Sequence, residues 1–344
     1  MVWTMALLRA LIRTARMARH TASLAAGLPA DEEVLLDAPD DRLGPALVAA
    51  GRGEYEPAAK LLALTRERAE WENRDRYVMR LATFACSRPE WFEHWRQTEP
   101  DDPDMLLLRA EQAVARGWAA PARAEQLTAA TPLVTAAAQG DPRDPVPWRV
   151  ALDQARGTGA PPARFEALWG EAVRRSPHHY GCHVAALRFL ATAGGRSHDQ
   201  CFDFAERAAQ DALPDSLVQA LPVRAALGHL TASAGPGAPG PVPRARLDSA
   251  ADLAAALSGR YAVADPWPAE VRNVLVCVLV RLERWPEALV QLGRTGPYAT
   301  SFPWDRFSDD PLGQFLELRD GVRIEVAAST PLRGRRGRDA SGGH

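Results

Sequence analysis

Apolar positions recur along this chain at three- and four-residue spacing, and alternating β-branched runs are almost missing. That period gathers side chains on one helix face, so the pattern predicts an all-α chain. After Pro145 the stripe is Trp148, Leu152 and Ala155, and after Pro177 it is Tyr180, Val184 and Leu187. Helices are expected near 2–26, 42–51, 55–69, 72–86, 89–97, 103–117, 121–138, 146–156, 163–175, 178–192, 199–211 and 215–230. They resume near 246–258, 268–283, 286–293 and 309–319, with an aromatic loop at 296–308.

A longer repeat overlies the stripes. An aromatic is followed three residues later by a small or aliphatic residue, and twelve after the aromatic by a proline. The copies are Phe165, Leu168, Pro177; Phe202, Ala205, Pro214; and Trp285, Ala288, Pro297. A partial copy, Tyr55, Ala58 and Leu62, follows Gly53. The small residue permits close helix approach, and the proline marks the turn beyond the helix or starts the next one. Trp148 to Tyr180 is 32 residues and Tyr180 to Leu217 is 37. Such a period describes paired antiparallel helices in a solenoid.

The segment Gly53-Glu54-Tyr55-Glu56-Pro57-Ala58 resembles the middle of a tetratricopeptide repeat, and Glu283-Arg284-Trp285-Pro286-Glu287-Ala288 is a looser copy. Asp101-Asp102-Pro103-Asp104, Arg164-Phe165-Glu166 and Pro177-His178-His179-Tyr180 extend the likeness. Over roughly residues 40–230 the chain resembles an uncharacterised family of helical-repeat proteins of high-GC bacteria. The resemblance implies an all-α, tetratricopeptide-like α-solenoid with irregular repeats, and no activity. The expected organisation is a basic amphipathic helix at 1–30 and a helical-repeat domain at 31–231. A Gly/Pro-rich linker at 232–245, further helical repeats with the aromatic loop at 246–328, and a disordered basic tail at 329–344 follow.

Composition narrows the chemistry. Lys+Arg is 41 against 43 for Asp+Glu, a formal net charge of −2, so no dedicated nucleic-acid binder is expected. The only lysine is Lys60, inside an expected helix, which leaves lysine-dependent mechanisms without a seat. Gly235-Pro236-Gly237-Ala238-Pro239-Gly240 cannot cradle phosphate, because proline removes the N–H donors such a loop needs. Four cysteines without a CxxC pair read as reduced thiols of a cytoplasmic protein. No apolar run is long enough for a transmembrane helix. Residues 2–26 carry Arg9, Arg13 and Arg16 opposite an apolar face; packing on the next helix is expected, with peripheral membrane contact as the alternative.

Two clusters could carry function. His178, His179, Cys182, His183, His198 and Cys201 fall within one short stretch. His179 and His183 are one helical turn apart, and antiparallel packing could add His198 and Cys201 to make a zinc site. The other reading is hydrogen-bonded or groove-lining histidines. Trp91, Phe92, His94 and Trp95 form the second cluster, either a docking surface or the core face of a short helix. The Pro/Asp turn after it should cap a helix beginning at Pro103. A binding groove would use His179, His183, Trp91, Trp95 and Arg109. The expected function is a non-catalytic scaffold or adaptor that binds a protein or peptide, without cofactor. The alternative is a zinc-dependent enzyme, or an accessory subunit of a biosynthetic enzyme, using residues 178–201.

Overall fold

A computed structural model describes residues 27–192, 198–232 and 241–329. The expected N-terminal helix 2–26, residues 233–240 of the linker and the tail from 330 lie outside the described residues. Among those described, the fold is almost entirely helical, as the apolar period predicts.

The chain divides into two units. One spans Pro39–Arg260; the other joins residues up to Ala38 with those from Tyr261 onward. The boundary falls after Arg260, so the helix following the Gly/Pro-rich stretch belongs to the first unit.

The Pro39–Arg260 unit contains α1 (Leu43–Ala50), α2 (Glu56–Glu67), α3 (Trp71–Ser87), α4 (Glu90–Thr98) and α5 (Pro103–Ala119). It continues with α6 (Arg123–Ala129), α7 (Thr131–Gly140), α8 (Val146–Thr158), α9 (Pro162–Arg175) and α10 (Tyr180–Thr192). After α11 (His198–Asp211) a 3₁₀ turn, Leu217–Ala220, leads into α12 (Leu221–Leu230), and α13 (Arg244–Arg260) ends the unit.

Local chemistry sets these boundaries. Gly53 takes φ +89, open to glycine at little cost, and turns the chain from α1 toward α2. The Asp102 carboxylate accepts N–H bonds from Asp104 and Met105, both at 2.9 Å, and Pro103 fills the first helical position of α5. This is the cap expected from the Pro/Asp turn. Gly159, in the left-handed region at φ 66, ends α8. The single helix expected at 121–138 is two helices, α6 and α7. Pro132, in the first turn of α7, lacks the N–H that an unbroken helix would use there.

Packing in this unit follows chain order. α1 packs on α2, α2 on α3, α3 on α5, α5 on α6 and α7, and α6 on α8. Beyond these, α8 packs on α9 and α10, α10 on α11, α11 on α12, and α12 on α13. Other contacts span a longer separation: α5 meets α8, and α3 meets both α8 and α10.

The second unit holds α14 (Ala269–Arg281), α15 (Trp285–Thr295), α16 (Ser301–Trp304) and α17 (Pro311–Ser329). The expected 309–319 helix therefore runs further, to Ser329. Two short strands, β1 (Leu35–Leu36) and β2 (Tyr298–Ala299), pair in parallel, with Leu35 opposite Tyr298. The buried Arg272 donates to the carbonyls of Tyr261, Ala262, Asp265 and Arg294, so one guanidinium satisfies four backbone acceptors. In the aromatic segment Trp304 is fully buried, and its indole N–H donates to Asn273 Oδ1 at 2.7 Å.

Candidate functional site

The densest polar chemistry in the Pro39–Arg260 unit is buried where α3 meets α5, α8 and α10. It is built on two consecutive residues of α3. Trp71, Arg74, Asp75, Val78, Leu81, Ala82 and Ala85 share one helical stripe, so Arg74 and Asp75 enter the core with their apolar neighbours.

Arg74 reaches Asp104 on α5 and Asp144 just before α8, each at 2.6 Å, and donates to the Leu62 carbonyl at 2.9 Å. All three charged side chains are nearly inaccessible. Arg66 adds a second guanidinium to Asp104 at 3.2 Å. The other Asp144 oxygen accepts Val146 N–H at 2.8 Å, within the first turn of α8. Burial pushes the Asp144 carboxyl above its ordinary range, and Arg74 pulls against that.

Asp75 turns to α8. Its carboxylate lies 2.7 Å from Arg149, which also holds Glu111 of α5 at 2.6 Å and Asp153 at 3.6 Å. Burial works against the Arg149 charge, but these carboxylates overcome it and hold the guanidinium protonated. Glu111 is pushed up by burial, with Arg149 opposing.

The third layer joins α3 to α10. Tyr180 N–H donates to Glu72 Oε1 at 2.7 Å. His179 Nδ1 accepts Cys182 N–H at 3.1 Å, so Nε2 carries the proton and donates it to the Trp71 carbonyl at 3.2 Å. Glu72 and Asp75 each lie 4.0 Å from Nε2. Gly181 is required at this crossing, since a Cβ there would stand 2.0 Å from Asp75 Oδ2.

A thiol, an imidazole and carboxylates thus lie together, but their bonds are structural. The Cys182 thiol points at the Pro145 carbonyl, 3.6 Å away, and His179 spends both ring nitrogens on backbone groups. Burial raises the Cys182 pKa, the reverse of what an activated nucleophile needs. Cys182 is 1% exposed, so no substrate reaches the sulfur.

The residues singled out from the sequence separate into different environments. His183 donates from Nδ1 to the His179 carbonyl at 2.9 Å, and its ring meets Trp169 and Phe204. Burial lowers its pKa to about 4. His198 faces His229, with ring centroids 4.6 Å apart and planes at 88°. Burial lowers the pKa of both rings, and for His198 the His229 charge adds to the shift. Cys201 is buried on α11. Among the described residues no three His, Cys, Asp or Glu side chains are gathered to hold a metal ion.

Trp91 and Trp95 are fully buried, and Tyr55 stacks on Trp95 with ring centroids 5.8 Å apart. These indoles, His179 and His183 are core side chains, so they do not line an open groove. Arg109 is half-buried on α5. None of the four cysteines forms a disulfide: Cys86 is exposed, and Cys182, Cys201 and Cys277 are buried. No described helix is long and apolar enough to cross a membrane.

Sequence reading missed Arg74, Asp75, Glu111, Asp144 and Arg149. For the residues within helices the signal was present: ionisable side chains occupy positions that the apolar spacing assigns to the core. Comparison of the chain with family models, with curated proteins and with solved structures yields no match.

Proposed function

We propose that the chain is a non-catalytic, cytoplasmic scaffold or adaptor that binds a peptide or partner protein, built from irregular tetratricopeptide-like helix pairs. The observation that carries this reading is the order of packing, in which each helix of the Pro39–Arg260 unit rests mainly on its neighbours in sequence. The recurring positions support it. Phe165 and Leu168 on α9, and Phe202 and Ala205 on α11, are buried at equivalent spacing, and Pro177 and Pro214 follow the helix ends. Such stacks present extended surfaces for another chain.

The non-catalytic part rests on the buried polar layer, whose nucleophile and base are committed to backbone bonds. The test is Cys182→Ala in the source cell, with the folded state checked by circular dichroism and thermal unfolding. The scaffold reading expects an unchanged phenotype while helicity and stability are retained. Loss of a cellular activity from a folded, stable variant would overturn it in favour of an enzyme.

A further inference from the structure

Two imidazoles from neighbouring helices face each other away from the buried layer. His198 is the first residue of α11, and His229 lies in the last turn of α12. The two helices pack together, and the chain connects them at their other ends, through Leu217–Ala220. The rings therefore meet at the end of the helix pair that the connection leaves unjoined. Their centroids are 4.6 Å apart and their planes stand at 88°. His198 Nε2 and His229 Nδ1 are both shielded from solvent, and neither has a hydrogen-bond partner among the described residues.

Buried polar atoms of a folded chain ordinarily find partners, so two orphaned nitrogens on facing rings call for a shared one. An imidazole nitrogen is satisfied by a hydrogen bond or by a metal ion. The spacing suits a metal. An ion bound at about 2.1 Å from an imidazole nitrogen lies roughly 3.2 Å from the ring centre. Two rings on one ion then have centres roughly 4.5 Å apart at a right angle, and roughly 5.2 Å apart at the tetrahedral angle. The observed 4.6 Å falls in that range. Asp199, beside His198, is already held by Arg246 at 3.2 Å. No third His, Cys, Asp or Glu side chain is gathered with the pair among the described residues, so water would complete the coordination. The pair also differs from the set expected from the sequence, since His229 takes the place of His179, His183 and Cys201.

We propose that His198 and His229 form a two-histidine site for a divalent transition-metal ion, such as zinc, which fastens α11 to α12 at their unjoined ends. Imidazole is a ligand that zinc, nickel and copper all accept. The site goes beyond the scaffold reading and stands apart from it. It ties together two helices of this chain and holds no part of a partner, so either can fail without the other.

The probe is zinc chloride, titrated into the full, untagged chain after chelator treatment and followed by calorimetry. One ion should bind per chain, with a Kd on the order of micromolar. At about a hundredfold excess over Kd, zinc should raise the thermal midpoint by about 5 °C, because only the folded chain brings the two rings together. His198→Asn and His229→Asn should each weaken binding by about tenfold or more and remove that rise. Ring-nitrogen resonances should shift at His198 Nε2 and His229 Nδ1, and not at His179 or His183. Cys86→Ser and His94→Asn, at exposed positions elsewhere, should leave binding unchanged.

Equal binding by wild type and either folded variant would overturn the site. So would shifts confined to other histidines, or loss of binding in Cys86→Ser. Absence of binding below millimolar zinc would overturn it too, leaving water as the partner of both nitrogens. The two variants lie on different helices, and circular dichroism of each separates a folding defect from loss of the ligand. A partner protein retained by a chain that takes up no zinc would remove this site and leave the scaffold reading standing.

Discussion

Arg74 and Asp75 carry the unit's polar core by pointing from one helix face toward different neighbours. Removing Arg74 would leave Asp104 and Asp144 buried without their shared cation. Breaking a buried pair in this way costs about 3–5 kcal/mol. Arg74→Met should therefore lower the urea-unfolding free energy by that amount, and a loss under about 1 kcal/mol would show that the network contributes no more than a surface pair. His183 makes a pH prediction. Its folded pKa is about 4, below the ordinary value of 6.5, so the unfolded chain takes up a proton first as pH falls. The stability this residue contributes is intact above pH 6.5 and drains away between 6.5 and 4, by about 3 kcal/mol. His183→Asn, which keeps an N–H for the His179 carbonyl, should flatten that part of the stability–pH curve. A curve parallel to wild type would refute the assignment.

Gly181 is where an element depends on a single absent atom. Its place at the start of α10 lets the helix approach the Asp75–Arg149 pair on α3 and α8. Gly181→Ala should cost about 1–3 kcal/mol by overpacking. The cost should shrink in an Asp75→Ala background, where the obstructing carboxylate is gone; full additivity in a double-mutant cycle would deny the contact. Most elements were legible in the sequence, because apolar spacing and Pro, Gly and Asp punctuation act locally. The break between α6 and α7 was missed although Thr131-Pro132 marks it, since the apolar pattern continues across it. The aromatic segment at 296–308 needed long-range information: β2 exists by pairing with β1, and Trp304 is buried against Asn273 on α14. The candidate histidines were less legible. Helical spacing places His179 and His183 one turn apart, but not the carbonyls and ring partners that occupy them. It also could not reveal that His198 meets His229. The reverse signal, charge on a buried stripe, was readable at Arg74, Asp75, Asp104 and Glu111.

At the scale of the molecule, the Pro39–Arg260 unit joins neighbour-on-neighbour packing to a longer-range fastening of α3 to α8 and α10. That fastening commits the Cys182 thiol, the His179 imidazole and the Glu72 and Asp75 carboxylates to contacts within the fold. The neighbour-on-neighbour order predicts graded hydrogen exchange in this unit. The amides of α3, α5, α8 and α10, joined by buried ion pairs and hydrogen bonds, should be the slowest, and those of α1 and α13 faster. Uniform exchange across the unit would contradict that ordering. In the proposed scaffold role the chain works by holding another protein. Its most direct test is to bind the full chain to a support, expose it to native cell extract, and measure the affinity of any retained protein for the purified chain by calorimetry. A scaffold should form a saturable complex of defined stoichiometry that persists in chelator. Retention of no protein beyond that held by an unrelated helical bait would contradict it.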